Sequence, residues 1–320
     1  MNSSIVFVFP GQSSVSPPAI QRALASHPAA SAIAELARDV LGDARAATYL
    51  DPGGAQLQSN RDVQITVFLA TQMYLAGLKA EGITAAASLG LSLGEYSHVV
   101  DIEALDVDEA LRLVDERGRC YDAAPFGIMA TVLAVDRDTV AAAVEGAQTH
   151  GTVVISNINA PTQHVVAGEE AAVARAIEVL EDEHAAHTTI IEKRVPMHSP
   201  LMAPVAAAFG PALASARWKP AAKAYLPNVT AAPVAQPTAA DFVAHLTRHV
   251  GETVLWQQSV NEVVARHPHA AFVEVGPGGV LHNMIGRAWK SVPSQRVDAP
   301  DGGDPRRHFA ATVEALGARA

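Results

Sequence analysis

A serine set among glycines has the local sequence of a catalytic nucleophile. Residues 90–96 read Gly-Leu-Ser-Leu-Gly-Glu-Tyr, after a short run of small and apolar residues at 85–89 and before a predicted helix. This pattern is typical of a nucleophile elbow, whose sharp turn exposes the serine hydroxyl, and the glycines allow close approach where a Cβ atom would clash. The amide of Leu93 would lie at the helix start, where it can donate to an oxyanion. The alternative is a turn in which Ser92 only caps the helix.

A second unusual residue is Arg117, which lies in line with an apolar helical stripe. In the helix predicted at 106–123, the same face carries Ala110, Val114 and Tyr121. A guanidinium keeps its proton and is costly to bury without an anionic partner. Two explanations stay open: a buried salt bridge to an internal Asp or Glu, and a seat for a substrate carboxylate.

Two loops and one helix carry further candidate groups. The strand predicted at 5–9 ends in a polar turn, and such loops carry binding groups in α/β proteins; the amide of Gln12 either serves a site or closes the turn. His198 is held on a loop between two prolines. His245 and His249 have a spacing that can bind zinc, but the intervening glutamate of a zincin is absent, so no metal site is predicted.

The order of predicted elements indicates an α/β fold with two domains. Short buried strands at 5–9, 85–89 and 271–275 alternate with helical segments, which is typical of a parallel sheet. Helical patterns cover 18–41, with a break at 27–28, and 62–78. These elements predict a large α/β-hydrolase-like domain with a parallel sheet.

A smaller unit interrupts the large one. Its predicted β-α-β-β-α-β order over 128–191 is typical of a ferredoxin-like α+β domain. The segment 157–161 is predicted to be a turn by composition, with asparagines that either face the interdomain cleft or form Asx turns. The predicted boundaries are 1–126 and 196–320 for the discontinuous large domain and 127–195 for the inserted small domain.

Composition limits the classes of function. The 320 residues carry a formal net charge of −10, which argues against nucleic acid as the general partner. No run approaches the ~18 apolar residues of a membrane span, and the N-terminus lacks the basic and apolar regions of a signal peptide. The single cysteine, Cys120, excludes an internal disulfide. A cytoplasmic location is therefore expected.

Six short segments, taken in order, resemble one family: the malonyl-CoA:acyl-carrier-protein transacylases and the acyltransferases of polyketide synthesis. The matching segments are 9–12, 90–96, 117–118, 157–159, 196–202 and 274–278. The resemblance runs from Phe7 to about Arg287 and is strongest to the discrete, trans-acting acyltransferases of polyketide, including antibiotic, pathways.

The resemblance implies a role for each matching residue. Ser92 would be the nucleophile, and His198 would be its general base and later the general acid. The backbone amides of Gln12 and Leu93 would form the oxyanion hole. Arg117 would receive the free carboxylate of a malonyl-type acyl group.

The resemblance also implies how the histidine is held. A backbone carbonyl near His249 would orient His198, so a Ser–His dyad would operate without an Asp. The sequence agrees, because no Asp or Glu stands out as a third member. Substrate contacts would come from Leu91, Met197 and Asn159. The family usually has histidine at position 91, and Met197 is neither of the usual residues before the base.

The implied function is transfer of an acyl group, most simply malonyl, from coenzyme A to the phosphopantetheine thiol of an acyl carrier protein. The transfer would proceed through a ping-pong acyl-serine mechanism and would serve fatty acid or polyketide biosynthesis. Acyl-CoA and carrier are substrates, no cofactor is bound permanently, and a monomer is expected. Because carrier proteins are acidic, a local basic face is expected near the cleft.

Three alternatives remain open. Met197, Leu91 and His98, which replaces a small or apolar family residue, also suit carrier-to-carrier transfer of an aminoacyl or peptidyl starter. An acyl hydrolase would pass the same acyl-serine to water to clear blocked carriers. A catalytically silent docking module would bind carriers without forming an adduct.

Overall fold

The computed structural model describes residues 4–15, 18–51 and 57–318. The helices of this part are α1 Ala19–Ser26, α2 Ala30–Leu41, α3 Asp43–Leu50, α4 Asn60–Ala80, α5 Gly94–Asp101, α6 Val107–Asp122, α7 Arg137–Ala147, α8 Glu170–His184, α9 Ala203–Ser215, α10 Ala239–His249, α11 Trp256–Arg266, α12 Val280–Ala288 and α13 Pro305–Gly317. The strands are β1 Ile5–Phe9, β2 Ala87–Gly90, β3 Ile128–Leu133, β4 Val153–Ala160, β5 Gln163–Gly168, β6 His187–Glu192, β7 Ala271–Glu274 and β8 Ser294–Arg296.

A parallel sheet of order β2-β1-β7-β8 forms the centre of the large unit. All five residues of β1 are buried, because helices cover both faces of the sheet and strand side chains on either face meet apolar neighbours. Val8 pairs with Leu89 on one side and with Glu274 on the other, so the carboxyl ends of the three strands lie at one edge. The predicted α/β class with a parallel sheet is confirmed.

Helix α4 covers this sheet and is buried along most of its length. It extends the predicted helix at 62–78 by two residues at each end. The hydroxyl of Ser59 accepts a hydrogen bond from the amide of Asp62, which satisfies a donor that a helix start leaves free. The break predicted at 27–28 is also present, between α1 and α2.

The second sheet is antiparallel and has the order β4-β5-β3-β6, the strand order of a ferredoxin-like unit. Helices α7 and α8 pack on one face around a separate apolar core, and the other face turns toward the large unit. The predicted small ferredoxin-like fold is confirmed as a class. The boundaries at 126/127 and 195/196 stay a prediction.

The prediction of a turn at 157–161 is wrong. Strand β4 continues to Ala160, with Asn157 paired to Val165 and Ala160 paired to Gln163. An Asx turn is not needed, because the Asn157 side chain accepts a hydrogen bond from the hydroxyl of Ser156.

Strand β4 also joins the two units. The amide of Ile158 donates to the carbonyl of Val254 at 3.0 Å, and the amide of Val254 donates to the carbonyl of Ser156 at 2.9 Å. These two bonds hold the face of the small sheet over the edge of the large one, which creates a cleft between them. In the described part of the chain, no helix combines the length and apolarity needed to cross a membrane.

Candidate active site

Ser92 occupies a strained turn directly after β2. Its φ angle is 51°, in the left-handed region that a non-glycine residue rarely adopts without a functional reason. A Cβ atom on Gly90 would lie 2.1 Å from the backbone of Gly94, and one on Gly94 would lie 2.1 Å from the carbonyl oxygen of Phe9. Both positions therefore require glycine, and the packing presses the serine turn against the end of β1.

The structure brings His198 to Ser92 from 106 residues away. The Nε2 atom of His198 lies 2.8 Å from the Oγ atom of Ser92. Its Nδ1 atom lies 2.8 Å from the backbone carbonyl oxygen of His249. A carbonyl oxygen only accepts, so Nδ1 carries the proton and Nε2 is free to accept the serine proton. The geometry can perform general-base activation of a hydroxyl without a third carboxylate.

Burial keeps the imidazole of His198 uncharged. Burial and, to a smaller extent, the positive charge of Arg117 lower the pKa of His198 from its usual 6.5 to about 3, while the carbonyl of His249 acts in the opposite direction. The ring is therefore a neutral base throughout the physiological pH range.

The neutral ring predicts an unusual pH profile. Acylation of Ser92 by a thioester is expected to keep a constant rate from pH 8 down to about pH 5, because the base stays unprotonated well below the pKa of an ordinary histidine. Rapid-quench acylation in overlapping buffers measures this rate. A fall to half the maximal rate near pH 6.5 would contradict the prediction and place His198 in contact with water.

Two backbone amides are available beside Ser92. A Cβ atom on Gly11 would lie 3.0 Å from the carbonyl oxygen of Leu91, so the loop after β1 adjoins the serine turn. The next amide along this loop is that of Gln12, and the amide of Leu93 lies at the start of α5. Within the described residues neither amide is used in a hydrogen bond. Two free N–H groups near the serine suit a developing oxyanion.

Arg117 is buried, with 1% of its surface exposed, and lacks a carboxylate partner in the described part of the chain. Its Nη1 atom donates to the Oε1 atom of Gln64 at 2.7 Å, while its buried Nε and Nη2 atoms have no hydrogen-bond partner there. The guanidinium carbon lies 4.1 Å from the ring centre of Tyr121 and 5.7 Å from that of Tyr96. Of the two explanations open from the sequence, the internal salt bridge is not formed.

The cleft above Ser92 has a volume of about 500 Å³ and is lined by both units. Among its lining residues are Gln12, Leu91, Ser92, Asn159, Met197 and His198. Arg117, Leu93 and His249 lie beneath this surface and are buried. The Oδ1 atom of Asn159 is buried without a partner among the described residues, which leaves it free for a ligand.

The comparison with known proteins agrees with this geometry. A family model described as an acyl transferase domain matches residues 6–307. The chain belongs to this acyl transferase family. The resemblance inferred from the six motifs is thereby confirmed, and the protein is an enzyme of the acyltransferase class.

Three relatives illustrate the range of the family. The malonyl CoA-acyl carrier protein transacylase of Escherichia coli (strain K12) is 30% identical to this acyl transferase over 304 residues, 93% of this chain and 97% of that protein. The polyketide biosynthesis malonyl CoA-acyl carrier protein transacylase PksC of Bacillus subtilis (strain 168) is 27% identical over 266 residues, 81% of this chain and 88% of that protein. A solved structure of PlMCAT with AntF, a type II PKS acyl-carrier protein in complex with its malonyl-transacylase, has a TM-score of 0.88 and 25% identity, and covers 98% of this chain and 100% of that chain.

Asn228 is a site residue of this acyl transferase that the sequence analysis missed. Its Oδ1 atom accepts from the amide of Ser92 at 2.8 Å, and its Nδ2 atom donates to the carbonyl of Gly90 at 2.7 Å. Both bonds hold the strained serine turn. A single asparagine in a loop more than 130 residues from the serine carries no spacing signal, so only the structure reveals it.

Replacing Asn228 with alanine is expected to lower acylation about tenfold and the free energy of unfolding by about 2 kcal/mol, because two buried backbone groups lose their partners. Acylation kinetics and urea unfolding measure the two effects. Asn261→Ala, which removes an exposed amide that accepts from Trp289, is the matched control and should change neither. An Asn228→Ala enzyme as active as the parent would show that the serine turn keeps its conformation without the Asn228 side chain.

Glu95 is a second missed residue, buried completely behind the serine turn. It accepts hydrogen bonds from the hydroxyl of Tyr225 and, at 3.3 Å, from the amide of Asn228. Burial raises the pKa of Glu95 to about 8, against these two donors and the charge of Arg117.

His98 does not reach the cleft. Its Nδ1 atom lies 2.9 Å from the hydroxyl of Ser88, and its Nε2 atom accepts from the amide of Leu226 at 3.0 Å. Burial lowers the pKa of His98 to about 4, so the ring is neutral and forms part of the core. His98 therefore gives no reason to expect a different acyl group.

Proposed function

We propose that this acyl transferase moves a malonyl group from coenzyme A to the phosphopantetheine thiol of an acyl carrier protein, in fatty acid or polyketide biosynthesis. The observation that carries the proposal is the buried guanidinium of Arg117, two of whose nitrogen atoms have no hydrogen-bond partner among the described residues. The charge of Arg117 also lowers the pKa of His198, the base that is hydrogen-bonded to Ser92. A fixed cation beneath a thioester site suits an acyl group that ends in a carboxylate.

In the first half-reaction, Ser92 attacks the carbonyl carbon of the acyl-CoA thioester. His198 takes the hydroxyl proton at Nε2, and the carbonyl of His249 stabilises the resulting imidazolium through Nδ1. The amides of Gln12 and Leu93 receive the oxyanion. The C–S bond then breaks, the thiolate takes the proton from His198, and an acyl ester remains on Ser92.

In the second half-reaction, the carrier's thiol enters the same cleft. His198 removes the thiol proton, the sulfur attacks the acyl ester, and the ester bond to Ser92 breaks with return of the proton to the serine. One acyl-enzyme thus serves donor and acceptor in turn, which is a ping-pong mechanism. Because thioester is exchanged for thioester, the cleft between the two units serves to exclude water from the ester.

A second cavity extends the path for the long thiol substrates. Its volume is about 610 Å³, and it shares Thr131, Gln163 and Met284 with the cleft. Its wall includes the exposed Arg287, a cation suited to a phosphate group. We assign this groove to the pantetheine arm. Leu91, Met197 and Asn159 then contact the acyl end of the substrate.

Intact mass spectrometry tests the proposal. The enzyme is exposed to equal amounts of malonyl-CoA, methylmalonyl-CoA and acetyl-CoA, and a phosphopantetheinylated carrier protein is then added. The expected adduct is one malonyl group, which moves to the carrier. A predominantly non-malonyl adduct would reject the malonyl assignment, and rapid loss of the adduct without a carrier would indicate a hydrolase. Carrier binding without any adduct would reject catalysis altogether.

A further inference from the structure

The ring of His198 stacks on the ring of a second histidine. The ring centres of His198 and His249 are 4.9 Å apart, with an angle of 26° between the planes. Both residues are buried, with 2% and 1% of their surfaces exposed. His249 thus meets the base twice, because its backbone carbonyl holds Nδ1 of His198 and its side chain covers the ring face.

Glu95 contacts the His249 ring from another helix. The Nδ1 atom of His249, at the end of α10, lies 3.3 Å from the Oε2 atom of Glu95, in the first turn of α5. Glu95 is itself held by Tyr225 and by the amide of Asn228. The His249 ring therefore lies between the Glu95 carboxyl group and the ring of His198.

We infer that the His249 side chain, held by Glu95, is a positioning residue that sets the plane of the His198 imidazole for proton transfer with Ser92. The inference deepens the proposed function and rests on it only in taking Ser92 and His198 as the reacting pair.

The geometry explains why a positioning ring is needed. Hydrogen bonds at Nδ1 and Nε2 act in the plane of the His198 ring, so they resist a tilt of the ring out of that plane only weakly. The outer torsion of a histidine side chain is broad, so the rotamer alone does not fix the tilt. The His249 ring, stacked against one face of the His198 ring, restricts this tilt. An error in the placement of a reacting group can cost up to about 10²-fold in rate.

The positioning ring is also uncharged, so it does not oppose protonation of His198 during attack. Burial lowers the pKa of His249 well below 6.5, and the neighbouring His198 and Arg117 lower it further. The groups that face the Glu95–His249 pair are Tyr225 and Asn228 on the loop before α10, Arg117 on α6 and His198.

A serine-directed fluorophosphonate tests the inference independently of the acyl group. Ser92 displaces fluoride from phosphorus, and the serine proton passes to His198, so the labelling rate reports on proton transfer within this pair without any acyl group. If the parent enzyme reacts with the probe but not with malonyl-CoA, the proposed acyl group is wrong and the positioning role is still tested. The maximal labelling rate and the half-saturating probe concentration are measured separately.

Graded variants of His249 are expected to affect only the maximal rate, because all keep the backbone carbonyl and none lies on the cleft surface. His249→Phe keeps a ring without the contact to Glu95 and should label about threefold more slowly. His249→Leu and His249→Ala remove the ring and should label about 30-fold more slowly, with unchanged half-saturation. Leucine fills more of the volume of the histidine ring than alanine does, so the leucine variant is used if the alanine variant fails to fold.

His245→Ala is the matched control, because His245 lies one turn earlier on α10 and its ring contacts Tyr225 but not His198. It should label within twofold of the parent. The inference is overturned if a folded His249→Ala or His249→Leu enzyme also labels within twofold of the parent. The inference is also overturned if the phenylalanine and leucine variants have equal maximal labelling rates. It is overturned, too, if the maximal labelling rate of His245→Ala falls as far as that of His249→Ala.

Discussion

Replacing Ser92 with alanine is expected to abolish the acyl adduct and to lower acyl transfer by about 10⁵-fold or more. In the part of the chain that the structure describes, this hydroxyl is the only group given a hydrogen bond to Nε2 of His198. Without it, the base has no proton to take and the acyl group has no atom to which it can be bound. Intact mass after exposure to malonyl-CoA and steady-state transfer to a carrier protein measure the two losses.

The fold should tolerate this change, because alanine fills no new space and the amide at position 92 keeps its bond to Asn228. Ser97→Ala is the matched control. Ser97 is a buried serine on α5 whose hydroxyl accepts a hydrogen bond from Gln72, so its loss should leave the adduct intact. Undiminished labelling of the Ser92→Ala enzyme would place the nucleophile elsewhere and remove the basis of the proposed mechanism.

The serine turn was predictable because its requirements are local. Glycines at 90 and 94 are dictated by backbone atoms within a few residues and by the end of β1, so their spacing alone indicates the turn. Parallel strands place their carboxyl ends at one edge of a sheet, which explains why the loop of Gln12 and the turn of Ser92 meet. These features depend on chain direction and sterics, which a sequence pattern encodes.

The groups that hold the site could not be predicted in this way. Asn228 and Glu95 act through hydrogen bonds across 130 residues or more, and one polar residue in a loop or helix has no period that reveals its partner. The misplaced turn at 157–161 has a related cause. Asparagine is common in turns, but here the β4 pairing and the neighbouring Ser156 satisfy it within a strand.

Arg117 shows where sequence reasoning stops. The helical stripe correctly indicates that the residue is buried, but it does not identify the partner. The structure supplies the amide of Gln64, which in turn donates to the side chain of Gln12 at 3.4 Å, so the cation is tied to the loop beside Ser92. An uncharged amide orients the guanidinium without neutralising it, and the positive charge is left for a ligand.

Arg117→Ala is therefore expected to lower kcat/KM for malonyl-CoA by about 10³-fold and to change that for acetyl-CoA by less than about tenfold, because a buried ionic hydrogen bond contributes about 4 kcal/mol in such a site. Acylation rates with the two donors, measured on the same preparation, give the ratio directly. Arg119→Ala is the matched control, since Arg119 lies on the same helix but is exposed and paired with Glu116. A loss of malonyl transfer alone requires the cation to contact the carboxylate that distinguishes the two donors. Equal losses of kcat/KM for both donors would instead show that Arg117 only maintains the shape of the cleft. The natural acyl group would then be one without a terminal charge.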